Sequence, residues 1–381
     1  MVLENAACRN VGSRGRWHFD REKVHPEIML NSIPAVKGEV QTVLGAISAQ
    51  ELGVTMVHEH LLIDLTCLFQ NPEEAGERAR SREPVSLANL AWVRRNWNSS
   101  LDNLRLDNEA LAIEEAMQLK LAGGGSLVEV SNIGLARDPA GLQRISRATG
   151  LNVVMGSGYY VDVAHPAGMD DKSEEDIEAE IVNDITQGVG PFSVRAGIIG
   201  ELGCSSPLTK NEIKVLRAGA RAQQRTGAAI SIHIGRDPHS PVDIANCLEA
   251  AGADLSRVVL GHMDRIAHPM PILTELASRG CSIAFDTFGQ ETWVYPFNPS
   301  DRLSDVQRVD ILVSLIEAGF GDKLMVSHDV GYKHRLDKYG GCGYAHILTT
   351  VVPHHMRRKG ITEQQLQAIL VNNPARMLAF E

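Results

Sequence analysis

From residue 125 onward, short apolar or β-branched runs alternate with longer stretches of helical period, and this alternation limits the fold more than any other feature of the chain. The runs are Ser126–Ser131, Asn152–Gly156, Arg195–Gly200, Ala228–Ile234, Arg257–His262, Cys281–Asp286 and Lys323–His328, with Val54–His60 standing earlier as the first. Eight parallel strands close a barrel, and every gap is wide enough for a crossover helix. Helices are expected at Asn108–Ala122, Glu174–Gln187, Lys210–Arg225 and Asp305–Ala318. The fold class is therefore α/β, a (β/α)8 TIM barrel over residues 38–381. Residues 1–37 are polar and irregular and read as an N-terminal arm. Residues 66 to about 105, with Pro72, Pro84, Trp92 and Trp97, form a long insertion after the first strand, either a cover over the barrel mouth or a surface or dimer contact.

Composition narrows the partners. With 47 acidic against 37 basic residues and a formal charge of -10, the chain has no basic stripe to draw it to nucleic acid or to anionic membranes. Its six cysteines are scattered without a CxxC pair, which argues against a disulfide framework and fits a reducing cytoplasm. No signal-like start and no long apolar run is present, so a soluble cytoplasmic protein acting on a small molecule is expected.

The chemistry-bearing residues fall at strand ends. In Met56-Val57-His58-Glu59-His60, two histidines stand two apart on a strand and project from one face, where both can reach one metal. Taken alone this is a weak signal, since a chain with 14 histidines yields such a pair by chance. Glu201 follows the strand at Arg195–Gly200, where it is either a ligand or a cap for the next helix. His233 and His262 end the next two strands, and Asp329 follows the last. A barrel brings all its strand ends to one mouth, so six such groups are expected to converge. Imidazoles and carboxylates without a thiolate suit two divalent ions, Zn first, with Mn, Co or Fe as alternatives. Six donors exceed what one ion uses, and the surplus points to a two-metal site sharing a hydroxide.

These residues, in this order, resemble the phosphotriesterase family of the amidohydrolase superfamily, and within it the phosphotriesterase-related proteins. The resemblance runs from about Thr42 to the C-terminus through Gly200-Glu201-Leu202-Gly203-Cys204, Arg236 after His233, Gly261-His262-Met263-Asp264-Arg265 and Lys338-Tyr339-Gly340-Gly341. It implies that His58, His60 and Asp329 hold a more buried metal, His233 and His262 a more exposed one, and Glu201 bridges them. Where organophosphate-hydrolysing members carry a carboxylated lysine, this chain offers Glu201, so loading should not require bicarbonate. Those members also have a histidine near the seventh strand end, and Asp286-Thr287-Phe288-Gly289 offers none, although Asp264 is retained. Gly156-Ser157-Gly158-Tyr159-Tyr160 is similar to a segment of the lactonase members, which makes Tyr160 a substrate contact or a packing residue at the barrel rim. The resemblance also implies a homodimer.

The expected reaction is attack of the bridging hydroxide on a carbonyl, with Asp329 carrying the proton to the leaving group and Tyr160 and Asp264 assisting. Arg236, beyond His233, and Arg335 with Lys333, after Asp329, are suited to an anionic group such as a carboxylate or sulfonate. The leading substrate class is an N-acyl amino acid or related small acylated amine, followed by a lactone or carboxylic ester. Lactone hydrolysis with side activity on organophosphates, a non-catalytic binding barrel, and a one-metal lyase or isomerase are the other readings.

Overall fold

The computed structural model of the protein describes residues 37–265, 268–291 and 302–381. Nearly all of the expected arm lies outside the described residues. The described chain opens with an antiparallel hairpin, β1 (Glu39–Thr42) and β2 (Gly45–Ser48). The barrel follows as β3 (Thr55–Glu59), β6 (Ser126–Glu129), β7 (Asn152–Ser157), β8 (Ile198–Gly203), β9 (Ile230–His233), β10 (Val258–Gly261), β11 (Ser282–Phe285) and β12 (Leu324–Val326). These eight strands form one sheet in the order β12-β11-β10-β9-β8-β7-β6-β3, and every pairing is parallel. The two end strands meet where the Asp329 amide donates to the His58 carbonyl at 3.2 Å and the His58 amide to Ser327 Oγ at 3.0 Å. The chain is thus a (β/α)8 barrel.

Period-two alternation builds two cores from the same strands. Val57, Val128, Val154, Ile198, Ala229, Val259, Ala284 and Met325 form one buried cluster, closed by Val40 of the hairpin, Leu52 just after it, and Met377 and Leu378 of the C-terminal helix. Neighbouring positions such as Met56, Leu127, Ile199, Ile230, Ile283 and Phe285 join the larger core beneath the helices. Phe285 is fully buried, and its truncation to alanine costs ~3–5 kcal/mol.

The helices predicted from periodicity form at Glu109–Leu121, Glu174–Thr186, Lys210–Thr226 and Asp305–Glu317. Ser173, Thr209 and Ser304 start the last three with capping boxes, so their first-turn amides are satisfied by side chains. One boundary is corrected. The strand expected at Arg195–Gly200 forms three residues later, because Ala196 donates to Asp184 O and Arg195 Nε to Thr186 O, tying both to the preceding helix. Glu201 therefore stands within the strand and does not cap a helix.

The insertion is docked and partly helical. Its ends are joined by β4 (Ile63–Asp64) pairing with β5 (Arg105–Leu106). Val85, Leu90, Trp92 and Val93 make a small separate core against Tyr339. Lys333 pairs with Asp102 at 2.5 Å, and His334 Nδ1 lies 2.9 Å from Asn103 Oδ1. These contacts fix the insertion against the loop that follows β12.

Candidate metal centre

Local backbone shape aims each donor into the mouth. On β8 the register shifts between Ile199 and Leu202, and Gly200 takes φ +120°. A Cβ there would meet the Ser231 carbonyl oxygen at 2.2 Å, so only glycine permits the bend that turns Glu201 inward. His262 and Asp329 adopt φ +58° and +53°, a left-handed conformation costly for residues with a side chain. Such strain gathers where side-chain direction matters to function. Gly261 keeps the space behind His58 open, since a Cβ would lie 3.0 Å from Asp286 Oδ2 and 3.3 Å from His58 Nδ1.

The six expected donors converge. His60 Nε2 lies 3.4 Å from Asp329 Oδ1 and 3.5 Å from Glu201 Oε1, and His58 Nε2 lies 3.3 Å from Glu201 Oε2. The oxygen that faces His58, Glu201 Oε2, also stands 3.0 Å from His233 Nδ1 and 3.6 Å from His262 Nε2. His58, His60 and Asp329 form one compact group able to hold an ion, Glu201, His233 and His262 form a second with no residue in common, and His58, His262 and Asp286 form a third that shares one histidine with each.

The donor set fits cations. His58 Nε2 is buried, has no hydrogen-bond partner among the described residues, and faces two carboxylates. Burial pulls the pKa of His60 and His262 down. The carboxylates override it: Asp329 and Glu201 hold His60 up to about 9, and Asp286 and Asp329 hold His262 up to about 10. Glu201 and Asp329 resist burial in turn and stay ionised well below the usual carboxylate range because of the surrounding imidazoles. The cluster therefore demands positive charge, which protons or metal ions can supply. His233 is pushed down to about 3 by burial and by the charge of His262, which leaves its imidazole neutral, the form able to bind a metal.

Residues behind the donors set their tautomers. His262 Nδ1 donates to Asp286 Oδ1 at 2.8 Å, and Asp286 Oδ2 lies 3.3 Å from His58 Nδ1, so both rings turn Nε2 toward the other donors. His60 Nδ1 meets Ser131 Oγ at 3.0 Å, and that hydroxyl donates onward to Glu129 at 2.6 Å. His233 is held from its far side by Arg265, whose Nη1 lies 3.2 Å from Nε2. The sequence singled out none of Asp286, Ser131, Glu129 or Arg265 for this role. Asp286 carried a signal in principle, as the polar residue ending the one barrel strand between two ligand-bearing ones.

A cavity of about 410 Å³ opens beside His233, lined by Leu68, Tyr160, Val163, Ser205, Arg236 and Arg265 among others. A smaller one facing His60, Glu201 and Asp329 shares Leu68, Tyr160, His233, Arg236 and Arg265 with it. Of the expected substrate and catalytic residues, Tyr160 and Arg236 are at this mouth. Burial pushes the Tyr160 phenol well above its ordinary value, so it remains a hydrogen-bond donor. Asp264 is not at the mouth. It is wholly buried, accepting from Arg308 Nε at 2.7 Å, Thr287 Oγ1 at 2.8 Å and the Asp286 amide at 3.1 Å, so it braces the segment that carries Asp286. Arg335 is buried too, donating to the carbonyls of Phe288 and His328, and lines a neighbouring cavity. Lys333 is engaged by Asp102.

A parallel barrel with this donor set at the carboxyl ends of its strands is the architecture of a metal-site hydrolase. The model of the phosphotriesterase family matches residues 38–378, and the chain belongs to that family. It is 41% identical over 364 residues to an N-acetyltaurine hydrolase of Dictyostelium discoideum, covering 90% of this chain and 98% of that protein. The human N-acetyltaurine hydrolase is 42% identical over 349 residues, covering 91% and 99%. Among solved structures, a resiniferatoxin-binding protein from Rhodobacter sphaeroides superimposes with a TM-score of 0.85 at 36% identity, covering 90% of this chain and 95% of that one. The chain is a hydrolase.

Proposed function

We propose that the protein hydrolyses the amide bond of a small N-acylated amine bearing an anionic tail, of which N-acetyltaurine, the substrate in its relatives' names, is the leading candidate. The observation that carries this reading is the pairing of Arg236 and Arg265 with the imidazole-carboxylate cluster on one cavity wall. A guanidinium fork suits a sulfonate, and the cavity spans from there to Glu201.

His58, His60 and Asp329 would hold one divalent ion and His233 and His262 a second, with Glu201 shared between them, Zn being the first candidate and Mn, Co or Fe the others. Such ions, when bound, lower the pKa of water and polarise a carbonyl oxygen. The protein's own groups do the rest. Arg236 anchors the sulfonate, which sets the acyl carbon toward the cluster. Tyr160, a neutral phenol, donates to the carbonyl oxygen as charge develops there. As the water oxygen bonds to the acyl carbon, Asp329 accepts the proton that water loses. It then delivers that proton to the amide nitrogen as the carbon–nitrogen bond breaks, releasing the carboxylic acid and the free amine. Asp329 suits this role because its side chain is 21% exposed while Glu201 is 2% exposed.

The test is a hydrolysis panel on Zn- and Mn-loaded protein with N-acetyltaurine, N-acetyl amino acids, the neutral N-acetylethanolamine, lactones and phosphotriesters. N-acetyltaurine is expected to turn over fastest. Neutral lactones exceeding every anionic amide would replace this reading with a lactonase.

A further inference from the structure

A second cavity, of about 220 Å³, lies beside the loop after β12 and is lined by Arg94, Gln290, Glu291, His334, Arg335 and Cys342 among others. Only Gln290 is common to this cavity and the one facing the metal donors. None of the reaction steps above uses its thiol.

Cys342 heads a relay of three side chains. Its thiol donates to the Gly289 carbonyl at 3.8 Å beside His346, and His346 Nε2 stands 2.7 Å from Asp305 Oδ2. Asp305 is fixed in turn, its Oδ1 accepting from Arg308 Nη1 at 2.8 Å and from the Gly289 amide at 2.9 Å. Thiol and imidazole converge over Gly289, where a Cβ would lie 3.0 Å from Sγ and 3.2 Å from His346 Cδ2. The carboxylate keeps the imidazole charged, and the imidazole holds the thiol below its ordinary pKa. Arg335 supplies an independent signal. It is 4% exposed, its Nη2 is satisfied by two carbonyls, and its Nε and Nη1 have no hydrogen-bond partner among the described residues. Buried guanidinium donors of that kind call for an acceptor, and in this cavity the fitting acceptor is an anion.

We propose that Cys342 is a thiol–disulfide exchange site whose reagent is a small carboxylate-bearing disulfide, recognised by Arg335 and Arg94. The Cys342 sulfur attacks one sulfur of the reagent, the reagent's sulfur–sulfur bond breaks, and a mixed disulfide forms on Cys342. The departing half takes the proton that the thiol had given to His346 and leaves as a free thiol, so no further oxidant is required.

The experiment compares two disulfides of similar length and opposite charge, 3,3′-dithiodipropionate and cystamine, on the intact protein, with adducts located by peptide mass mapping. The anionic reagent is expected to modify Cys342 at least about tenfold faster than the cationic one, the size of an electrostatically steered encounter. Cys342→Ser should abolish that adduct, and Arg94→Gln should shrink the charge preference while the protein stays folded. Equal rates for the two reagents, or labelling of Cys67 or Cys247 before Cys342, would overturn the proposal.

Discussion

Asp286 and His262 are joined twice, the carboxylate Oδ1 accepting at 2.8 Å from both the backbone amide and the ring Nδ1 of that histidine. The same carboxylate reaches His58 through its other oxygen at 3.3 Å, so one buried acid orients a ligand from each of the two proposed metal groups. Asp286→Asn keeps the shape but offers a weaker acceptor and a competing donor. Metal affinity is expected to fall roughly 10–100-fold, measured by chelator competition, with far-ultraviolet circular dichroism unchanged.

Asp329 should matter more to turnover than to metal content, because it combines contact with His60 and partial exposure to the cavity. Asp329→Asn is expected to lower kcat by roughly 100- to 10,000-fold, the range of a lost general acid–base. Elemental analysis should still find most of the metal. Near-normal turnover in this variant would remove Asp329 from the proton transfer.

Arg236 predicts a substrate-dependent defect. Arg236→Gln should raise KM for N-acetyltaurine by roughly 10–100-fold, the value of a charge-assisted hydrogen bond, and leave N-acetylethanolamine almost unaffected. An equal loss on both substrates would mean that the guanidinium serves the fold and not the anionic tail.

Glu201 needs no carboxylation to reach both donor groups. Metal-free protein reloaded with Zn in bicarbonate-free buffer should therefore regain the same activity as protein reloaded with bicarbonate present. A strict requirement for bicarbonate would contradict the bridging role of this carboxylate.

The Asp305–His346 pair predicts a pH dependence of stability away from the metal donors. Burial opposes the His346 charge, but Asp305 and Cys342 overcome it and raise the imidazole to about 9 from an ordinary 6.5. Its contribution is thus complete below about pH 6.5 and lost as pH rises through about 9. Asp305, lowered to about 2 from 3.8 by His346 and Arg308 against its own burial, contributes fully above about pH 4 and loses that contribution as pH falls through about 2. Melting temperatures of the wild type and His346→Gln should differ most between about pH 4 and 6.5 and converge by about pH 9. A difference constant across that range would remove the ion pair as its cause.

The sequence carried much of this. Eight apolar runs separated by helical stretches define a parallel barrel because strands buried on both faces must be apolar and need crossover helices. The barrel in turn makes strand-end residues neighbours, which is why His58, His60, Glu201, His233, His262 and Asp329 could be grouped before any coordinates. Long-range partners were not legible in the same way. The family resemblance made Asp264 a chemical participant, yet Arg308 and Thr287 enclose it. Arg335 looked like a mouth residue by its distance from Asp329, yet it turns back to the carbonyls of Phe288 and His328.

Chain order by itself determined the fold and the list of donors, because alternation and strand-end position are local properties that the barrel converts into proximity. Only the tertiary structure decided which nitrogen of each imidazole faces the mouth, which acids stand behind them, and which arginines reach the cavity. Those depend on side-chain directions at bends such as Gly200 and on hydrogen bonds between segments more than 200 residues apart, such as Ser327 with Glu59, and no local pattern encodes them.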